Sequence, residues 1–226
     1  MYTQIKKEVE KLLSTASGHG LDHVERVCQT ALWLAKKENV DEETVMLAAL
    51  LHDVDDYKFV GIEQAKNLLN AKKIMQKAGI SPLKQERVCD IILNMGYSKA
   101  LKGIRPKTKE GAIVSDADML DAMGAVAVVR TLEYALLKGG FVFDKDIFPE
   151  TKVSFESYQK KATIQEPAIN HFFDKLLKLN GLIITDSAKK EAQKRHDFMV
   201  AFLKEFFLEQ NQKEWLDYLE LYLNRL

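Results

Sequence analysis

Hydrophobic residues recur at helical spacing along most of the chain. Tyr2, Ile5, Val9, Leu12 and Leu13 form a first stripe of this kind. A second stripe, from Val24 to Ala35, follows a glycine-flanked entry at residues 18–20. Spacings of three and four residues match the period of an α-helix, and runs that alternate between apolar and polar residues are scarce. The pattern therefore predicts an all-α fold.

Capping and turn residues suggest where the further helices begin and end. Asp41 is the expected N-cap of an apolar helix that runs to His52, because its carboxylate can accept from free backbone N–H groups. The other helices are expected near residues 62–77, 83–95, 110–138, 153–178 and 186–224, with Pro82 and Pro167 at starts and Gly79 and Gly181 at ends. The longest loop, residues 139–152, is expected to be a packed connection rather than a lid.

Composition and charge narrow the class of protein. The chain has 226 residues, of which 46% are hydrophobic and 29% charged, as in an ordinary soluble protein. Lys plus Arg and Asp plus Glu both total 33, so there is no basic excess and we expect no nucleic-acid partner. The chain shows neither the apolar core of a signal peptide nor an apolar run of roughly 18 residues, so we expect a cytoplasmic protein with no membrane partner. Cys28 and Cys89 lack a CxxC pattern and are expected to be buried thiols.

One apolar helix ends in charged residues. His52 and Asp53 directly follow the apolar run of residues 47–51. Polar groups that approach a dry core must be paired or bound to a cation, because an unpaired buried charge is costly. A divalent metal is one solution. The alternative is a helix that surfaces at His52 and continues as a solvated acidic turn, and for this dipeptide alone we favour that alternative.

A second acidic cluster changes that balance. Asp116, Asp118 and Asp121 stand at the head of a second apolar stretch, residues 122–129. Capping of a helix N-terminus is the alternative explanation, but one carboxylate suffices for a cap. Two core helices would then each present carboxylates at one end, with His23 as a third source of ligands. The combination favours a metal site.

The order His23, then His52-Asp53, then Asp118 resembles the H…HD…D pattern of the HD superfamily of metal-dependent phosphohydrolases. The flanking residues are similar to those of its small stand-alone YedJ/YpgQ-like subgroup. These flanks cover nearly the whole chain: residues 18–27, 47–53, 116–125 and 171–176, with Thr185 and Arg195. One departure is Met119, where the subgroup commonly has Lys.

The resemblance implies a fold, a cofactor and a reaction. The fold is a single HD-type domain over residues 1–226, with its core at about 18–125 and a helical extension at about 150–226. The cofactor is one divalent ion per chain, Mn²⁺, Mg²⁺ or another transition metal, and the ligands are His23, His52, Asp53 and Asp118. His19 is a nearby competitor for the place of His23. The reaction is hydrolysis of a phosphoester or phosphoanhydride, typically of a nucleotide, and includes nucleoside triphosphate pyrophosphohydrolysis.

Other polar residues are candidates for catalysis and substrate binding. Asp56 lies one turn beyond His52 and is our candidate to orient or deprotonate the attacking water, with Asp55 as the alternative. Substrate-binding candidates are Arg26, Lys58, Asp121, His171, Lys175 and Arg195, because phosphate needs positive charge and a sugar hydroxyl needs an acceptor.

Two other functions stay open at this point. One is a non-catalytic sensor that binds a nucleotide in an HD fold. The other is a helical interaction protein whose His and Asp positions are fortuitous. The aromatic last helix is expected to pack on the body, and a homodimer interface is the alternative for it.

Overall fold

The computed structural model describes residues 2–13, 20–149 and 167–226, apart from the side chain of Lys58. All regular structure in these residues is helical and none is a strand, which confirms the all-α prediction. The chain divides into two compact units. The first ends at Asp121 and the second begins at Ala122.

Nine helices are described in the first unit: α1 (Tyr2–Leu13), α2 (Leu21–Glu38), α3 (Glu42–Leu51), α4 (Tyr57–Val60), α5 (Ile62–Asn67), α6 (Leu69–Lys77), α7 (Pro82–Asn94), α8 (Tyr97–Leu101) and α9 (Lys109–Asp121). The described part of the second unit contains α10 (Gly124–Leu137), α11 (Asn170–Asp174), the 3-10 helix η1 (Leu176–Leu182), α12 (Asp186–Glu209) and α13 (Lys213–Leu223).

Helix α3 forms the centre of the first unit. It packs against α1, α2, α7 and α9, and its residues from Leu47 to Leu51 are fully buried. Asp41 begins it as predicted: its carboxylate accepts from the backbone N–H groups of Glu43 at 3.1 Å and Thr44 at 3.3 Å. The hydrophobic surface buried by such a helix is the main source of its stability, because an isolated helix of this length is marginal in water.

The predicted helix over 110–138 is interrupted. Helix α9 ends at Asp121 and α10 begins at Gly124, after Met123 in an extended conformation. Gly124 has φ +78°, a conformation that glycine adopts without steric cost. The acidic cluster therefore occupies the last turns of α9, and its placement at the head of a helix was wrong. Capping cannot explain these acids, because they stand at the end of the helix that the dipole disfavours for negative charge.

Two further predicted helices are also divided. Leu68, with φ 50°, separates α5 from α6, and Asn211, with φ 55°, separates α12 from α13. Helix α7 matches its predicted range and begins at Pro82, and Gly79 follows α6 with φ +72° as predicted. The prediction for Gly181 was wrong, because this residue lies inside η1. Much of the predicted helix 153–178 lies outside the described residues, and α11 begins three residues after Pro167.

The loop after α10 packs as a connection within the second unit, over its described part. Phe148 stacks on Trp215 with a ring-centroid distance of 4.4 Å, and Trp215 Nε1 donates to the Lys145 carbonyl at 3.0 Å. Asn170 Nδ2 donates to the Ile147 carbonyl at 3.1 Å. These contacts confirm the prediction of a packed connection up to residue 149; residues 150–152 lie outside the described part. Helix α13 buries Trp215, Leu219 and Tyr222.

Both cysteines are buried free thiols, as predicted. Burial raises the pKa of Cys28 to about 11, so this thiol stays protonated at neutral pH. Among the described helices, none combines the length and the apolar composition needed to cross a membrane.

Candidate metal centre

His23 comes from the first turn of α2. Gly20 is the extended residue before this helix, and its carbonyl accepts from the backbone N–H of His23 at 3.0 Å. The side chain of His23 is only 6% exposed. The early position in α2 therefore places an imidazole in the interior of the first unit.

His52 follows the last residue of α3. Its Nδ1 lies 2.7 Å from the carbonyl oxygen of Ala49. The last carbonyls of a helix have no partner within the helix, so the imidazole satisfies one of them. A carbonyl oxygen only accepts, so Nδ1 carries the proton and the lone pair of His52 is on Nε2.

The chain brings four predicted ligands together at this point. His23 Nε2 lies 3.2 Å from His52 Nε2 and 3.5 Å from Asp118 Oδ1. Asp53 faces both imidazoles through different oxygens: Oδ2 is 3.5 Å from His23 Nε2, and Oδ1 is 3.5 Å from His52 Nε2. His23, His52 and Asp118 each offer one atom within 4.8 Å of the others. Three helices, α2, α3 and α9, thus converge on one group of donor atoms.

The orientation of the imidazoles fits a bound cation. His23 Nδ1 lies 2.7 Å from Asp121 Oδ2, and this carboxylate is an acceptor, so His23 too has its proton on Nδ1 and its lone pair on Nε2. Two Nε2 lone pairs then face each other across 3.2 Å, with carboxylates beside them. Such an arrangement is repulsive without a proton or cation between the donors. Ligands bound to one ion at about 2.1 Å stand about 3.0–3.5 Å apart, which matches these separations.

A second set of contacts lies behind His23. Arg26 Nε donates to Asp121 Oδ1 at 2.7 Å, and an Nη of the same guanidinium donates to Asp121 Oδ2 at 3.0 Å. Asp121 is 5% exposed. Burial by itself raises the pKa of Asp121, but hydrogen bonds from His23 and Arg26 outweigh it and hold this pKa well below its usual value. Asp121 is therefore an ionised carboxylate inside the first unit.

The carboxylates also act on His52. Burial alone would lower the pKa of His52, but the charges of Asp53 and Asp118, with a smaller contribution from Asp56, raise this pKa above its usual value. The two carboxylates therefore favour a positive charge at this position. A divalent ion would take the place of the proton, because metal binding requires the neutral imidazole.

The two candidates for the catalytic base differ in their surroundings. Helix α3 ends at Leu51 and a turn follows, so the expected helical face shared by His52 and Asp56 is not formed. Asp55 is 4% exposed; its Oδ1 accepts from the backbone N–H of Asn70 at 3.0 Å, and its Oδ2 from that of Ala71 at 2.9 Å. Both oxygens of Asp55 thus accept hydrogen bonds from the first turn of α6. Asp56 is more accessible and its charge acts on His52.

The other sequence candidates lie in different parts of the chain. Lys58 is in α4, but its side chain lies outside what the structure describes, and His19 lies outside the described residues altogether. His171, Lys175 and Arg195 belong to the second unit, so their roles stay predictions. Met119 is buried in α9, where an apolar side chain fits.

Sequence reasoning missed two orienting contacts. The Ala49 carbonyl that holds His52 could have been found, because a free carbonyl three residues earlier is a general feature of helix ends. Asp121 was identified as a candidate for substrate, and its contact with His23 depends on how α2 and α9 pack, which spacing alone does not reveal.

Comparison with known proteins identifies the family of this chain. The HD domain family model matches residues 20–123, which include all four predicted ligands. Bacillus subtilis YpgQ is 31% identical over 207 residues, 89% of this chain and 90% of YpgQ. Its crystal structure in complex with ADP has a TM-score of 0.68 and covers 92% of this chain and 97% of that one.

Two further solved structures are similar over nearly their full lengths. A Lactobacillus plantarum protein has a TM-score of 0.80 at 33% identity, covering 93% of this chain and 96% of its own. An HD-superfamily hydrolase of Bacillus thuringiensis has a TM-score of 0.72 at 31% identity, covering 94% and 97%. Fold and site together define an HD-type helical protein with a His/Asp centre. The chain belongs to the HD superfamily of metal-dependent phosphohydrolases, in the subgroup that contains YpgQ.

Proposed function

We propose that this protein is a divalent-metal-dependent phosphohydrolase that cleaves a phosphoester or phosphoanhydride bond of a nucleotide. Nucleoside triphosphate pyrophosphohydrolysis is the reaction to test first. One observation supports the proposal most directly: the Nε2 atoms of His23 and His52 face each other at 3.2 Å. Asp53 lies 3.5 Å from both of these atoms, and Asp118 lies 3.5 Å from that of His23 and 3.9 Å from that of His52. Mixed nitrogen and oxygen donors suit transition ions such as Mn²⁺, and no cysteine is present at this group to suggest a structural zinc site.

The nucleotide part of the proposal comes from similarity. YpgQ has been crystallised with ADP, and this chain shares 31% of its residues over most of its length. A nucleotide also accounts for the predicted mixture of cationic and polar side chains. Lys58, His171, Lys175 and Arg195 stay sequence-based candidates for binding the phosphates or the rest of the nucleotide.

The acidic residues around the site have different roles in this proposal. A divalent ion, when bound, supplies Lewis-acid polarisation of a phosphoryl oxygen and of a water. Asp56 accepts the proton of the attacking water, since it is the accessible carboxylate that follows the ligands His52 and Asp53. Asp55 holds α6 in place instead, because both of its oxygens accept backbone N–H groups.

The experiment is a metal and substrate profile of the purified protein. We expect about one divalent ion per chain, and release of phosphate or pyrophosphate from at least one nucleotide with Mn²⁺ or Mg²⁺. Asp53→Ala should lose both the ion and the activity, because it removes the carboxylate that faces both imidazoles. The matched control is Asp22→Asn, at an exposed acid on α2.

Two results would contradict the proposal. If Asp53→Ala retained metal and turnover, the ligand assignment would be wrong. If the wild type bound nucleotide and metal but hydrolysed no nucleotide or phosphomonoester, the protein would be the non-catalytic sensor.

A further inference from the structure

The two imidazoles of the centre are oriented by different means. His52 is held by the Ala49 carbonyl, three residues earlier in the same helix, so α3 itself sets its tautomer. At His23 the Nδ1 proton points to a side chain on a different helix, Asp121 Oδ2 at 2.7 Å. The orientation of His23 therefore depends on a side chain, and a substitution can change it.

Arg26 in turn holds the side chain of Asp121 in place. Its guanidinium donates to both oxygens of Asp121, at 2.7 and 3.0 Å. Two parallel N–H bonds fix the plane of a carboxylate, which a single ammonium does not. Arg26 and His23 lie on one face of α2, three residues apart, so a single carboxylate from α9 can meet both.

Asp121 is also linked to a predicted ligand through its own helix. Asp118 and Asp121 are three residues apart on α9, and both reach toward the ring of His23, Asp118 at Nε2 and Asp121 at Nδ1. Two carboxylates from the last turn of α9 thus lie beside the imidazole of His23, one at each ring nitrogen. The sequence assigned Arg26 and Asp121 to substrate, but these contacts favour a different role.

We propose that Arg26 and Asp121 are positioning residues for the metal site: Asp121 keeps the proton of His23 on Nδ1, and Arg26 fixes the Asp121 carboxylate in the plane that does so. The Nε2 lone pair of His23 is thereby available to the ion. This inference rests on the metal site of the proposed function. Carboxylates that orient a metal-binding histidine are worth about 10- to 100-fold in metal affinity.

The deciding variant is Asp121→Asn. An asparagine has an acceptor oxygen on one side and a donor NH₂ on the other, while Arg26 and His23 Nδ1 both offer protons to this position. Arg26 offers an N–H group to both positions, so the NH₂ of the asparagine meets an Arg26 N–H in either orientation and the guanidinium must turn away. Where this NH₂ also faces His23, the proton of His23 must move from Nδ1 to Nε2. We expect this shift, because an equivalent change at a histidine's carboxylate partner is known to yield the wrong tautomer.

The first readout needs no metal. Nitrogen chemical shifts of the imidazoles in metal-free protein distinguish the two tautomers, and the signals of His23 are assigned by their loss in His23→Gln. We expect the Nδ1–H form in the wild type and a shift toward the Nε2–H form in Asp121→Asn. Asp22→Asn, one residue before His23 and exposed, is the matched control and should keep the wild-type spectrum.

The second readout is Mn²⁺ affinity, measured by electron paramagnetic resonance titration. We expect about 10- to 100-fold weaker binding for Asp121→Asn. Arg26→Lys keeps the positive charge but loses the two parallel N–H bonds to Asp121. It should weaken Mn²⁺ binding by a smaller factor. The double variant should bind no more weakly than Asp121→Asn alone, because Arg26 acts through Asp121.

Several outcomes would overturn the inference. Asp121→Asn with the wild-type tautomer and Mn²⁺ affinity within about twofold would exclude the positioning role. Fully additive losses in the double variant would mean that Arg26 acts independently of Asp121. If Asp121→Asn fails to fold, Arg26→Lys, at a partly exposed position, decides by the same affinity measurement. Absence of Mn²⁺ binding in the wild type would refute the proposed function instead, since the tautomer readout is independent of metal.

Discussion

Single residues at this site differ sharply in role although they share a chemistry. Five aspartates have the same carboxylate group but different surroundings: Asp53, Asp55, Asp56, Asp118 and Asp121. Asp53 and Asp118 face the imidazole lone pairs, Asp121 accepts from His23 and Arg26, and Asp55 accepts from two backbone N–H groups. The partner of each carboxylate, rather than its residue type, indicates what it does.

The adjacent acids Asp55 and Asp56 should give opposite results on substitution. Asp55→Ala leaves the N–H groups of Asn70 and Ala71 without their acceptor, so we expect a loss of about 1–2 kcal/mol in the free energy of unfolding, as for a lost helix cap, with Mn²⁺ affinity retained. Asp56→Asn should reduce turnover by about 10²- to 10⁴-fold and leave stability within about 0.5 kcal/mol. Urea unfolding and steady-state kinetics check both. The reverse pattern would make Asp55 the base.

The candidate metal ligands could be named from the sequence, whereas the side-chain contact that we propose orients His23 could not. His23, His52, Asp53 and Asp118 follow an ordered motif, and an ordered motif is visible without coordinates. The pairing of Asp121 with His23 joins residues 98 positions apart, and it depends on the rotation of α9 against α2. Nothing in local spacing specifies that rotation.

At the scale of helices, the sequence predicted where apolar stripes lie but joined several of them across breaks. The residues that break the helices are Leu68, Gly124 and Asn211, each with positive φ. A glycine within a small-residue run such as residues 122–127 does not by itself predict the end of a helix, because glycine is tolerated inside helices at modest cost. Tertiary contacts, which the sequence pattern does not reveal, favour glycine at this position: a Cβ added at Gly124 would lie 3.1 Å from Arg195 Cγ.

Gly124→Ala should therefore destabilise the second unit for two reasons. The positive φ costs about 1–2 kcal/mol for a residue with a Cβ, and the close approach to Arg195 adds to that cost. Gly103→Ala is the matched control, because Gly103 has φ +73° but no atom within 4 Å of the added Cβ. We expect a larger loss in the free energy of unfolding at Gly124 than at Gly103, measured by urea titration. Equal losses would show that contact with Arg195 is unimportant.

At the scale of the molecule, the predicted metal ligands all belong to the first unit. They lie at residues 23, 52, 53 and 118 of a unit that ends at Asp121, so they span most of its length. The donor atoms meet only when α2, α3 and α9 are packed together. Fold class was predictable from helical periodicity, because every described element is a helix, whereas the division into two units depends on contacts that the sequence pattern does not specify.

Metal binding should consequently stabilise the folded first unit. An ion that binds only the native state adds about 2.7 kcal/mol at a concentration of 100 times its dissociation constant. We expect Mn²⁺ to raise the melting temperature of the wild type and to slow hydrogen exchange at the start of α2 and at the ends of α3 and α9. Chelation should reverse both effects. Ca²⁺ should have a much smaller effect, because imidazole nitrogens are poor ligands for it.

Asp53→Ala separates this linkage from nonspecific binding of ions to the surface. The variant removes one ligand but leaves the exposed acids of the chain in place, so Mn²⁺ should no longer shift its melting temperature. A shift of wild-type size in Asp53→Ala would place the ion elsewhere. Exchange that slows in the second unit alone would have the same meaning, because none of the predicted ligands lies there.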